Sequence, residues 1–152
     1  MYQLIMRKTS VIALLSAMVL VGSLTGCKKT STPPVSELIA KVWTATKVEE
    51  DNVTVYIKGG ASNIRDYAKF KLDLSKPPAV SYTEYDGNTF VGQYAVPDDQ
   101  TLSLTNLNPP PSDGPAVSFT INSIDDNNLV ITRTKGSLKT GGKINKYTLT
   151  SQ

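Results

Sequence analysis

The sequence predicts an all-β domain, an antiparallel up-and-down meander that closes into a barrel of about eight to ten strands. Three observations carry this. From Val42 onward apolar and polar residues alternate in about nine short runs. Turn chemistry separates the runs at fairly regular spacing, and Asp86-Gly87-Asn88 is its strongest hairpin signal. Only one stretch, at residues 35–41, has helical spacing. Hairpin connections favour an up-and-down order, and closing such a sheet removes its exposed edges. An immunoglobulin-like sandwich is the competing arrangement, although the chain lacks a Cys pair with a central Trp.

The first 26 residues read as a lipoprotein signal peptide. Arg7 and Lys8 form a basic start, and Met6 is a plausible true initiator. The apolar run from Val11 to Val21 follows, then the small residues Gly22, Ser23, Thr25 and Gly26. That run is about half of the ~20 residues that a stable bilayer-spanning helix needs. Leu24-Thr25-Gly26-Cys27 resembles the bacterial lipobox: small side chains suit a peptidase cleft, and the Cys27 thiol takes a diacylglyceryl group. Two or three acyl chains (palmitate among them), each adding about 0.8 kcal/mol per buried CH₂, give effectively permanent attachment. Cys27 is the lone cysteine, so no disulfide within the chain and no Cys-based metal site is available.

Removing 26 of the 152 residues leaves 126, enough for one domain with a real core. Two of the 16 Lys and Arg precede Cys27, and all 13 acids follow it. The remaining 14 bases against 13 acids leave a side-chain charge of +1. No basic patch is interleaved with aromatics, so nucleic acid is not an expected partner. Residues 27–34 form a lipidated Cys and a polar, Pro-ended tether, and Lys28 and Lys29 suit lipid headgroups as well as solvent. Residues 35–152 are the β-domain.

Within it, Val35, Leu38, Ile39 and Val42 share a helical face, with Ser36 as the expected cap. Expected strands cover residues 43–49, 53–58, 64–74, 80–85, 89–96, 101–105, 116–124, 129–135 and 143–150. In the third, Phe70, Leu72 and Leu74 share a face with Ala68, and Tyr67 lies on the opposite one. Residues 106–115, with Pro109-Pro110-Pro111 and Asp113-Gly114-Pro115, read as a long loop, and residues 136–142 as a flexible one.

The lipobox, the tether, the helical turn running into Leu38-Ile39-Ala40-Lys41-Val42-Trp43, and the meander together resemble the small lipocalin-like lipoproteins of Bacteroidetes-type bacteria. Trp43 at the start of the first strand is similar to the Trp of the lipocalin Gly-x-Trp signature, but Lys41 stands where the Gly would be. The residues from Tyr82 to Phe90 and from Asp99 to Leu104 match the strand, Asp-Gly, strand, Leu-rich strand rhythm of that group. The resemblance spans residues 35–152. It implies a calyx-like barrel and, more thinly, a small apolar ligand.

There is no His, which removes the usual general base and metal ligand near neutral pH and excludes a Ser-His-Asp triad. A carboxylate pair drawn from Asp66, Asp73, Glu84 and Asp86 is formally open to glycosidase chemistry, but turns and solvated strand faces carry such charges anyway. Asp98-Asp99 and Asp125-Asp126-Asn127-Asn128 offer oxygen ligands without EF-hand spacing, and Asp and Asn are ordinary turn residues. The expectation is therefore a non-enzyme without cofactor or metal, held at the cell envelope by lipid on Cys27, on the periplasmic side of the outer membrane. Its expected role is to bind a small hydrophobic or amphipathic ligand. Phe70, Leu72, Tyr82, Phe90 and Tyr94 are the expected wall of the pocket, and Trp43 the plug at the closed end. The alternative is a solid β-domain that contacts or inhibits another envelope protein.

Overall fold

The computed structural model describes residues 33–152. The expected signal peptide and the expected lipidation site Cys27 lie outside the described residues. Helix α1 (Val35–Leu38) is a single turn. Its cap is Pro34, not Ser36: Pro34 is extended, and its carbonyl accepts the Glu37 and Leu38 N–H at 2.9 and 3.1 Å. A fixed φ and no N–H suit proline to this entry position.

Nine strands follow: β1 (Val42–Glu50), β2 (Val53–Ile57), β3 (Lys71–Lys76), β4 (Ala79–Thr83), β5 (Thr89–Asp98), β6 (Thr101–Asn108), β7 (Val117–Ile124), β8 (Asn128–Arg133) and β9 (Asn145–Ser151). From β3 to β9 each pairs antiparallel with the next. β1 pairs with β9 along its length, from Trp43↔Ser151 to Glu50↔Asn145, and with β3 at Val42–Thr44. Eight strands thus close a barrel. β2 lies outside that circuit, paired with the second half of β1.

Residues 64–70 are not strand, contrary to their alternation. The segment crosses the free edge of β2, where Ile64 and Arg65 donate to the Val55 carbonyl at 2.9 and 3.2 Å. Local bonds then bend it: Asp66 accepts the Ala68 N–H, and Tyr67 the Phe70 N–H. The bend turns Tyr67 inward beside Phe70, where both are buried, and leaves Ala68 exposed. The Asn63 amide completes the cover of β2, accepting from Ile57 N at 2.8 Å and donating to Ile57 O at 3.1 Å.

Inward side chains of all the barrel strands form one core. Its centre is aromatic. Phe70 stacks on Tyr147 with centroids 4.5 Å apart, and Tyr82 meets Phe70 and Phe119 edge-on at 6.0 and 6.3 Å. At one end, α1 and Trp43 form the plug. Trp43 is fully buried and its indole N–H donates to Ile39 O at 2.9 Å. The β1–β2 turn and the loops that precede β3, β5, β7 and β9 gather at the other end, here called the mouth. Among the described residues no helix is long and apolar enough to cross a membrane.

The β5–β6 register shifts beside Gly92, and a Cβ there would meet Thr105 O at 2.5 Å. Gly92→Ala is therefore expected to destabilise the barrel by about 1–3 kcal/mol through strand separation. Urea unfolding checks this, and an unchanged midpoint would remove the close-approach argument.

Candidate functional site

Period-two alternation carries charge into the barrel. Val80 and Tyr82 point inward on β4, and the next residue on that face is Glu84, only 4% exposed. On β8 the same stripe runs Leu129, Ile131, Arg133, and on β9 it runs Leu149, Tyr147, Asn145. β1 ends on buried Glu50. These four inward stripes, on β1, β4, β8 and β9, thus become polar at the mouth.

These groups form two linked clusters. In the first, Glu50 Oε1 accepts from Arg65 Nε at 2.7 Å and from the Tyr67 hydroxyl at 2.9 Å. Asn145 Nδ2 donates to the Tyr67 oxygen at 2.8 Å, and Thr140 Oγ1 donates to Asn145 Oδ1 at 3.0 Å. In the second, Glu84 Oε2 lies 2.6 Å from Lys139 Nζ, and Glu84 Oε1 accepts from the Tyr82 hydroxyl at 3.3 Å. Arg133 reaches Asp113 at 2.8 Å and Glu84 at 3.9 Å. Lys139 Nζ also lies 2.6 Å from Asp86 Oδ2 and 5.5 Å from the Phe90 ring centroid. Burial pushes the Tyr67 and Tyr82 hydroxyls far up, so both remain donors.

A strap of residues 136–143 roofs these clusters. It is not the open loop its glycines suggest, because Leu138–Thr140 forms a 3₁₀ turn and Ser137 bridges to Lys143. Under it lies a chamber of about 10 Å³, lined by Tyr67, Phe70, Tyr82, Glu84, Tyr85 and Tyr147, with Ser137, Lys139 and Thr140 above. That is space for one water at most. A small-molecule pocket typically needs about 300 Å³ or more, so the barrel as it stands is filled.

The five expected wall residues are all inward-facing and buried. Phe70 and Tyr82 border the chamber; Leu72, Phe90 and Tyr94 do not. Tyr94 lies toward the plug, its hydroxyl bonded to Leu74 O at 3.0 Å. Of the four carboxylates considered for catalysis, Glu84 is not on a solvated face but buried and ion-paired. Asp66, Asp73 and Asp86 accept local bonds from Ala68, Ser75 and Asn88. Asp98 and Asp125 likewise hold their own turns, accepting from Gln100 and Asn127. Among the described residues no group of three or more candidate ligands is placed to hold a metal ion.

The Lys139 latch is pH-dependent. Partial desolvation pushes Asp86 up, but the Lys139 ammonium and the Asn88 N–H outweigh it and hold the carboxyl below its ordinary value. Desolvation pushes Lys139 down, but its bonds to Asp86 and Glu84 outweigh that and hold it above its ordinary value. Asp86 thus stabilises the fold above its unfolded-state value, and the effect is lost as pH falls through its depressed folded value. Lys139 acts with the opposite sign and loses its contribution as pH rises through its raised value. Carboxyl NMR titration should find Asp86 below the ordinary aspartate range in the native chain and back within it in Lys139→Ala. An ordinary value in the native chain would contradict the latch.

No protein-family model matches the chain, and no curated protein matches it. Among solved structures, a lipocalin-like protein from Bacteroides uniformis superposes with a TM-score of 0.50 at 11% identity, over 76% of this chain and 99% of that one. The fold is lipocalin-like. An uncharacterised protein from Bacteroides eggerthii matches at TM-score 0.46 and 13% identity, over 74% of this chain and 98% of that one. At these identities the likeness concerns the fold. The lipocalin-like barrel here is closed by eight strands and β1's extra partner, with a packed centre and a charged, strap-covered mouth.

Proposed function

We propose that this chain is a lipid-anchored envelope protein whose lipocalin-like barrel binds a small amphipathic ligand at its mouth. The observation that supports this best is the asymmetry of the two ends. The α1 end is closed by apolar packing around Trp43. The mouth instead combines tyrosine rings with buried Glu84, Glu50, Arg133 and Asn145 beneath a strap. Burying charges is costly for stability, and buried, paired charges beside a recess make it a candidate binding site. Since the chamber is about 10 Å³ with the strap down, binding requires the strap to lift. Anchoring by lipid on Cys27, on the periplasmic side of the outer membrane, belongs to the same proposal and is supported by the lipobox. The tether reaches the barrel at α1, the plugged end.

A second reading has its own observation. An open groove of about 310 Å³ runs over the outer wall beside Ala79, Val80, Val91 and Gly92, between Asp73 and Lys76. It suits a non-catalytic module that contacts an envelope protein.

Native mass spectrometry of the full chain, released into non-ionic detergent, tests the first reading. A co-purifying small molecule, or a mass shift with a panel of amines, fatty acids and isoprenoids, is expected. No adduct with any of them would favour the second reading. The same spectra test the anchor: acyl mass on Cys27 is expected, and its absence, with Cys27→Ser processed normally, would remove it.

A further inference from the structure

Building on the mouth as a binding site, we infer that Lys139 occupies the place of the ligand's own charge, so that the mouth takes a small organic cation: a primary amine with a short apolar body, admitted when the strap lifts.

The surroundings of Lys139 Nζ are those of an ammonium site. Carboxylate oxygens of Glu84, just beyond β4, and of Asp86, in the turn that follows, lie 2.6 Å away, and the face of Phe90 lies 5.5 Å away. Carboxylates beside an aromatic face select an ammonium. The apolar body has a floor as well, in the rings of Tyr67, Phe70, Tyr82 and Tyr147.

Charge decides the ligand class. With the strap down, Glu50, Glu84, Asp86 and Asp113 face Arg65, Arg133, Lys139 and Lys143, four negative charges against four positive. Lifting the strap with Lys139 and Lys143 leaves four against two, with Glu50 and Glu84 buried. A cation reduces that excess. A neutral guest leaves the buried carboxylate short of its partner, and a fatty acid adds to the excess.

The strap is built to move as a piece. Its neck bonds are internal: Ser137 N donates to Lys143 O at 2.9 Å and Gly142 N to Ser137 O at 2.8 Å. Gly136 packs directly on the Gly142 backbone, where any Cβ would collide. Its bonds to the barrel run instead through side chains of other segments. Asp113 accepts from Leu138 N, Tyr85 donates to Lys139 O, and Thr140 donates to Asn145. Lifting it therefore breaks no strand ladder.

The test is calorimetric titration of the full chain in non-ionic detergent with phenethylammonium, 2-phenylethanol and 3-phenylpropionate. The native chain should bind the ammonium alone and show faster amide exchange at residues 138–142 when it does. Lys139→Ala should bind it about tenfold more tightly, since the internal competitor is gone. Glu84→Gln should weaken it by at least about tenfold, the loss of a charge-assisted partner. If Lys139→Ala does not fold, Lys139→Gln removes the charge at similar length and should show the same gain. Equal binding of the alcohol, or no gain in either Lys139 variant, would overturn the inference. If the propionate or a fatty acid binds and the ammonium does not, the inference fails while the mouth remains a binding site. If nothing in either panel binds or co-purifies, both fail.

Discussion

Arg133→Met is expected to destabilise the barrel by about 3–5 kcal/mol, the usual cost of removing one partner from a buried ion pair. The Arg133 side chain is 3% exposed and stands between Asp113, at 2.8 Å, and Glu84, at 3.9 Å. Methionine fills much of the same volume, so the loss is mostly electrostatic. The two carboxylates do not suffer equally. Asp113 sits nearer solvent and keeps Leu138 N at 2.7 Å, whereas Glu84 is left to Lys139 and the Tyr82 hydroxyl. Arg133→Met combined with Glu84→Gln should therefore recover part of the loss, because no unpaired charge remains at that point. Urea unfolding of the single and double variants measures both effects. A single variant within about 0.5 kcal/mol of the native chain would mean that water already reaches the cluster.

At the opposite end the expected loss is as large and has another cause. Trp43→Ala should cost about 3–5 kcal/mol by opening a cavity under α1. The indole is fully buried against Ile39 and makes the bond that ties the helical turn to β1. Trp43→Phe keeps most of the apolar area and removes the indole bond from the Ile39 carbonyl, which still accepts the Lys41 N–H at 2.7 Å, and should cost about 1 kcal/mol. A native-like midpoint for Trp43→Ala would show that α1 collapses into the gap. Near-native exchange of α1 and β1 amides in that variant would argue against the plug.

Alternation made most of this fold legible. It marked nine strands, and the hairpin-type connections between them, strongest at Asp86-Gly87-Asn88, marked their order. It failed at residues 64–70, where Asp66 and the β2 edge offered bonds that outcompete a ladder. The mouth was half legible for a related reason. Glu84 and Arg133 continue the inward stripes of β4 and β8 by one step, so the pattern that placed Tyr82 and Ile131 also places them inside. Charge alone argued for solvent, and burial is affordable here because the partners arrive from distant segments. Asp113 is 20 residues from Arg133 and Lys139 is 55 residues from Glu84, in loops whose path no alternation predicts. The filled centre was not legible at all: inward rings read the same whether they line a cavity or meet one another.

Asn63 has a consequence beyond its own loop. Its amide offers Ile57 an acceptor and a donor, as a neighbouring backbone would. It behaves as a counterfeit strand one residue long. Ile64 and Arg65, at the Val55 carbonyl, extend the forgery by one more rung. β2 is the strand that barrel closure leaves over, and it carries Val53 and Ile57 on its surface with Ile64 beside them, the last 73% exposed. An apolar strand with open valences is what one molecule annexes from another to begin a ribbon. By occupying the Val55 carbonyl and both Ile57 backbone groups from within its own chain, the protein denies those rungs to a strand from another molecule.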